Sequence, residues 1–121
     1  MSFVESEQQR RDRILPRYQF EARIRIELVR DGKTIFAEGW MRDLSESGAG
    51  AFAGSALAVG EIARLKIPLS NQFELVVPTI VTRARGTHYG FRFTALSGKQ
   101  REQLRKALLG CKPIAEDATL Y

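Results

Sequence analysis

From Tyr18 onward the chain alternates. Tyr18, Phe20, Ala22, Ile24, Ile26 and Leu28 are apolar, and Gln19, Glu21, Arg23, Arg25 and Glu27 between them are polar. A period of two sends the two sets to opposite faces of an extended backbone, which predicts a strand with one buried face. Asp31-Gly32 is the residue pair that suits a two-residue hairpin turn, and Lys33 to Arg42 forms the returning strand. Trp40, near its end, is expected in the core rather than as an exposed stacking surface. A polar stretch, Asp43-Leu44-Ser45-Glu46-Ser47-Gly48, then interrupts the pattern, which resumes as a short strand from Gly48 to Ala53. Further strands are expected from Ile62 to Leu69 and from Phe73 through Ile80 and Val81 to Arg85, with Pro78 marking an edge or a bulge. Gly86-Thr87 turns the chain into a last strand, His88-Tyr89-Gly90-Phe91-Arg92-Phe93.

After that strand the period changes. Ser97, followed three residues later by Gln100, is a capping box, and Leu104, Ala107 and Leu108 recur at helical spacing until Gly110 ends the element. Six strands joined mostly as sequential hairpins are too many for a flat open sheet of this size. The expected fold is therefore mainly β, a six-stranded antiparallel, split β-barrel with a C-terminal α-helix packed across an opening or a side. Residues 1–12 read as a flexible basic arm, 13–110 as the barrel domain with its helix, and 111–121, which contain Pro113 and no periodicity, as a frayed flexible tail.

The 121 residues suit one domain, with 44% hydrophobic and 27% charged residues. No apolar run approaches the roughly 20 residues of a membrane helix, and the first seven residues contain no apolar signal core. With Cys111 as the single thiol, the expectation is a cytoplasmic protein without disulfides and without membrane contact. The net charge of +5 is carried by fourteen arginines and five lysines. Arginine's planar fork of donors matches phosphate and the guanine edge, whereas lysine is a point charge.

Catalytic chemistry is thinly represented. His88 is the only histidine, and Cys111 stands alone. Asp43, Ser45 and His88 could be imagined as a triad, yet no nucleophile elbow surrounds the serine, and the Walker-type phosphate loop is absent. A binding function is expected rather than an enzyme, with no metal and no cofactor beyond a bound ligand.

Two short motifs remain. Arg10-Arg11-Asp12-Arg13-Ile14-Leu15-Pro16-Arg17 places four arginines in eight positions, and Pro16 drives the segment toward extended geometry. Asp43-x-Ser45-x-x-Gly48 sets a carboxylate and a hydroxyl two residues apart on one side of a strand end, with a glycine that admits a ligand or another backbone. Each motif alone is weak, because Asp and Ser often only close a local turn. Together, with 25 residues and a strand hairpin between Arg17 and Asp43, they resemble the ligand-binding signature of the PilZ domain family. The resemblance runs from Arg10 to about Leu109 and includes the Tyr89-Gly90-Phe91-Arg92-Phe93 strand.

The resemblance implies a bacterial receptor for the second messenger cyclic di-GMP, one that acts as an adaptor relaying the signal to a downstream protein partner. It implies a site made of Arg13, Arg17, Asp43, Ser45 and Gly48, with Arg10 and Arg11 as auxiliary phosphate contacts at best. The arginines would take phosphate or the guanine O6/N7 pair, and Asp43 would accept from guanine N1 and N2. Asp12 departs from family members that carry an arginine there, which points to a single bound ligand or weaker binding. Arg83, Arg85 and Arg92 on the last strands are candidates to flank the site, although strand arginines are more often simply solvated. Two alternatives stay open: a ligand-independent interaction module of the same fold, and a small nucleic-acid-binding barrel suggested by the basic charge.

Overall fold

The structure is a computed structural model that describes residues 15–114. Its elements are β1 (Tyr18–Arg30), β2 (Lys33–Leu44), β3 (Gly48–Ala53), β4 (Ile62–Pro68), β5 (Glu74–Arg85), β6 (His88–Phe93) and α1 (Gly98–Leu108). All strand pairs are antiparallel, and they close a barrel in the order β1-β2-β3-β6-β5-β4. The β1–β2 hairpin turns on Asp31 and Gly32, whose φ angles of 52° and 73° are the left-handed pair that a tight hairpin turn demands. One connection departs from the sequential-hairpin expectation. β3 pairs with β6 rather than with β4, so residues 54–61 carry the chain between strands that are not neighbours.

The core lies inside the barrel and follows the period of two. Ile24, Ile26 and Leu28 of β1, Leu65 and Ile67 of β4, Leu75, Val77 and Val81 of β5, and Phe91 of β6 are buried. At about 1.5–3 kcal/mol for each fully buried large apolar side chain, this layer outweighs the exposed ion pairs of the surface. Small residues Ala49, Ala51 and Ala53 face inward from β3. Leu104 and Leu108 of α1 join the same core, and the helix is tied down at both flanks. Gln100 donates to the Val76 carbonyl at 2.8 Å, and Arg105 reaches Glu46 in the β2–β3 turn at 2.6 Å. The capping box is formed as the sequence predicts, with Ser97 and Gln100 each accepting from the other's amide at 3.0 Å.

Two expectations are corrected. Trp40 is not in the core: it faces outward from β2 and is 43% exposed, because its neighbours Gly39 and Met41 take the inward side and the barrel interior is already filled. Residues 111–114, expected as the start of a frayed tail, instead bond to the beginning of β1. Gln19 N–H donates to Lys112 O, Ile114 N–H donates to Arg17 O, and Tyr18 and Pro113 face each other between these bonds. Proline is tolerated there because the facing pair in such a ladder exchanges no hydrogen bond of its own.

Pro78 lies within β5, paired with Arg64 of β4 on one side and past the end of β6 on the other. Its carbonyl accepts from Thr94 N–H at 3.0 Å, just past the point where β6 stops at Phe93. Nitrogen and carbonyl of one strand residue point the same way, so the missing proline donor falls beyond the ladder.

Candidate functional site

Of the sequence-selected residues, Arg17 and Asp43 come together on the outer face of the barrel, where three irregularities in the ladder coincide. Between Met41 and Asp43 the β2–β3 register slips, so Arg42 and Asp43 both stand against Gly50. Between Val81 and Arg83 the β5–β6 register slips in the same way, so Thr82 and Arg83 both stand against Gly90. β1 carries a third irregularity between Gln19 and Ala22. A bulge adds one residue to one strand and re-aims its side chains, a device common beside binding sites. Here it turns Asp43 and Arg83 outward over two glycines.

Gly50 and Gly90 are themselves a cross-strand pair. The resulting row, Asp43, Gly50, Gly90, Arg83, crosses β2, β3, β6 and β5. Its floor has no side chains, and its walls are a carboxylate and a guanidinium. The next row along the same strands is Trp40, Phe52, His88, Arg85. Phe52 and His88 meet edge to face with centroids 5.0 Å apart. Arg42 lies over the Phe52 ring, 5.6 Å from its centroid, and reaches Glu21 at 3.5 Å. Arg42, Asp43, Phe52, Arg83, Arg85 and His88 line an open cavity of about 770 Å³ together with Arg17, Gln19, Glu21 and Ile114.

Asp43 is 4% exposed and accepts from Arg17 Nη2 at 3.3 Å. Arg17 is brought there because its carbonyl is held by Ile114 and the next residues, Tyr18 and Phe20, pack against the core. The carboxylate is therefore oriented by a cation on one side and by the glycine floor on the other. Arg83 Nε is buried and has no hydrogen-bond partner among the described residues. A buried donor without an acceptor is costly, and an anion entering the trough would supply one. His88 is held below its ordinary pKa first by partial burial and then by Arg83, while Asp43 pulls the other way and Arg17 and Arg42 push further down.

Ser45 and Gly48 are placed differently from Arg17 and Asp43. Neither lines the cavity. Ser45 is fully buried, and its Oγ accepts from the amides of Ser47 at 3.0 Å and Gly48 at 3.2 Å while lying 3.1 Å from Ser47 Oγ. It closes the turn between β2 and β3, and Gly48 opens β3 opposite Arg92. Arg92 is exposed and away from the cavity, whereas Arg83 and Arg85 line it. Arg10, Arg11 and Arg13 lie outside the described residues.

Sequence reasoning missed Gly50, Gly90, His88 and the commitment of Arg83 to the site. A signal for the β2 bulge was present. Met41 and Leu44 both face inward although three positions apart, a spacing that regular alternation forbids. Among the described residues no group of three or more His, Cys, Asp or Glu side chains could hold a metal ion, and no helix is long and apolar enough to cross a membrane.

The fold is a closed six-stranded barrel with a C-terminal helix and an arginine-lined trough on its outer face. The sequence profile of the PilZ domain matches residues 7–110, and the chain belongs to the PilZ domain family. Solved structures share the fold. The PilZ domain of CeSA from a cellulose synthesizing bacterium is 21% identical, with a TM-score of 0.60 over 78% of this chain and 95% of that one. The PilZ domain of YcgR from Escherichia coli, solved with c-di-GMP, is 17% identical, with a TM-score of 0.60 over 78% and 86%. The Bacillus subtilis inhibitor of motility, MotI/DgrA, is 15% identical with a TM-score of 0.61, and the match covers 78% of this chain and 47% of that one. No curated protein matches the sequence significantly.

Proposed function

We propose that the protein is a cyclic di-GMP receptor that binds the dinucleotide in the outer trough and passes the signal to a partner protein. The observation that carries this reading is the trough itself: Arg17, Arg42, Arg83 and Arg85 surround one buried, oriented carboxylate, Asp43, above a floor of two glycines. Two phosphates need cations, and a guanine needs an acceptor for its N1 and N2 hydrogens together with donors for O6 and N7. Arginine and aspartate are the side chains that supply these. Membership of the PilZ family and the c-di-GMP in the YcgR structure support the same ligand.

In this reading Arg13 and Arg17 take phosphate or the guanine Hoogsteen edge, and Asp43 selects guanine. Ser45 and Gly48 act by fixing the turn that ends β2, and Arg10 and Arg11 add at most auxiliary phosphate contacts. The segment bearing Arg13, the ligand and the barrel then form a composite surface that a partner reads. Asp12, next to Arg13, repels phosphate and favours one ligand rather than a stacked pair.

Titration calorimetry of the purified protein with cyclic di-GMP, at low salt and tens of micromolar, tests the proposal. Heat with cyclic di-GMP and none with cyclic di-AMP is expected. Silence with both would leave a ligand-independent interaction module.

A further inference from the structure

Gly50 lies outside the Asp43-x-Ser45-x-x-Gly48 motif, yet it stands directly against the carboxylate of the trough. It faces Asp43 across the β2–β3 ladder, at the bulge, and it is buried. A methyl carbon in its place would lie 2.5 Å from Asp43 Oδ2, 2.9 Å from Oδ1 and 3.0 Å from Cγ. No real side-chain carbon tolerates such distances, and what obstructs it is the carboxylate itself rather than backbone. Gly50 has no positive φ to require glycine, so conformational freedom does not account for it. The missing Cβ is what leaves a seat for the Asp43 carboxylate.

We propose that Gly50 is the positioning residue of the site: its bare Cα lets the Asp43 carboxylate lie flat on β3, within reach of Arg17 and facing the trough. Any larger residue lifts the carboxylate off the strand, breaks the 3.3 Å contact with Arg17 and misdirects the acceptor that a guanine edge must meet. The bulge at Arg42 and the glycine at position 50 are therefore one device. The bulge turns Asp43 outward, and the glycine lets it settle. The consequence for ligand binding rests on the proposed function above, whereas the seat itself does not.

The test is a double-mutant cycle of wild type, Gly50→Ala, Asp43→Ala and the double variant, read by thermal melting without ligand and by calorimetry with cyclic di-GMP. In the presence of Asp43, Gly50→Ala is expected to lower the melting temperature and to weaken binding by about tenfold or more, the scale of one lost bidentate base contact. In the Asp43→Ala background the obstruction is gone, and alanine is preferred over glycine within a strand. The same substitution is then expected to be neutral or stabilising. An equal loss of melting temperature in both backgrounds would overturn the proposal, as would wild-type melting and affinity for Gly50→Ala. If Gly50→Ala fails to fold while the double variant folds, the clash with Asp43 is demonstrated directly; if both fail, the seat is refuted. Should wild type give no heat with cyclic di-GMP, the ligand reading falls and the melting cycle alone still decides the role of Gly50.

Discussion

Asp43 carries more of the site than any other side chain, because it combines near-complete burial with an orienting cation 3.3 Å away. Asp43→Ala and Arg17→Ala are each expected to weaken cyclic di-GMP binding by at least about tenfold in calorimetry. Unchanged affinity in both would move the ligand elsewhere. His88 provides a second residue-scale prediction. Its pKa is lowered by burial and by Arg83, so the unfolded chain takes up the proton first. Its contribution to stability is full above the unfolded value of about 6.5 and declines as pH falls through that value toward the folded one. A bound dianion reverses the electrostatics and favours the imidazolium, so affinity should rise as pH falls from about 7.5 to about 6. His88→Gln should flatten both profiles, which melting and calorimetry across that range would measure. Arg17 and Asp43 were legible in the sequence because their types announce their chemistry. Gly50 was not, since a glycine that matters by what it lacks looks like any other small strand residue.

The element that organises the site is the β2–β3 turn. Ser45 Oγ accepts two backbone amides there, both buried, and no other described side chain stands in for it. Ser45→Ala should leave those donors without an acceptor at a cost of about 1–3 kcal/mol. That is a fall in melting temperature of several degrees for a domain of this size. Binding should weaken as well, because the turn anchors the strand end that carries Asp43. A melting temperature within a degree of wild type would show that the backbone contact from Ser45 N–H to Gly48 O suffices alone. The strands, the Asp31-Gly32 hairpin and the capped helix were all readable, since each follows from a local period or a turn pair. Of the two bulges that decide which way Asp43 and Arg83 point, that at Arg42 left a trace only in the Met41–Leu44 spacing, and that at Thr82 was not readable.

At the scale of the whole molecule, the net charge of +5 does not by itself choose between a nucleotide and a nucleic acid. Its arrangement does. Around the trough the arginines are interleaved with Glu21 and Asp43 and enclose a cavity of about 770 Å³, a concave site for a compact ligand rather than a stripe for a long backbone. Cyclic di-GMP binding should therefore weaken only severalfold between about 0.1 M and 1 M salt. The Debye length shrinks from about 10 Å to 3 Å over that range, while partly buried contacts such as Arg17 to Asp43 and the Arg83 wall are screened less. An oligonucleotide held by surface arginines should lose several orders of magnitude over the same range. Ligand at a hundred times its Kd should add about 2.7 kcal/mol of stability, raising the melting temperature by roughly ten degrees. A steep salt slope together with protection by oligonucleotide and none by cyclic di-GMP would replace the receptor reading with the nucleic-acid one. The concave, carboxylate-bearing trough predicts the opposite on both counts.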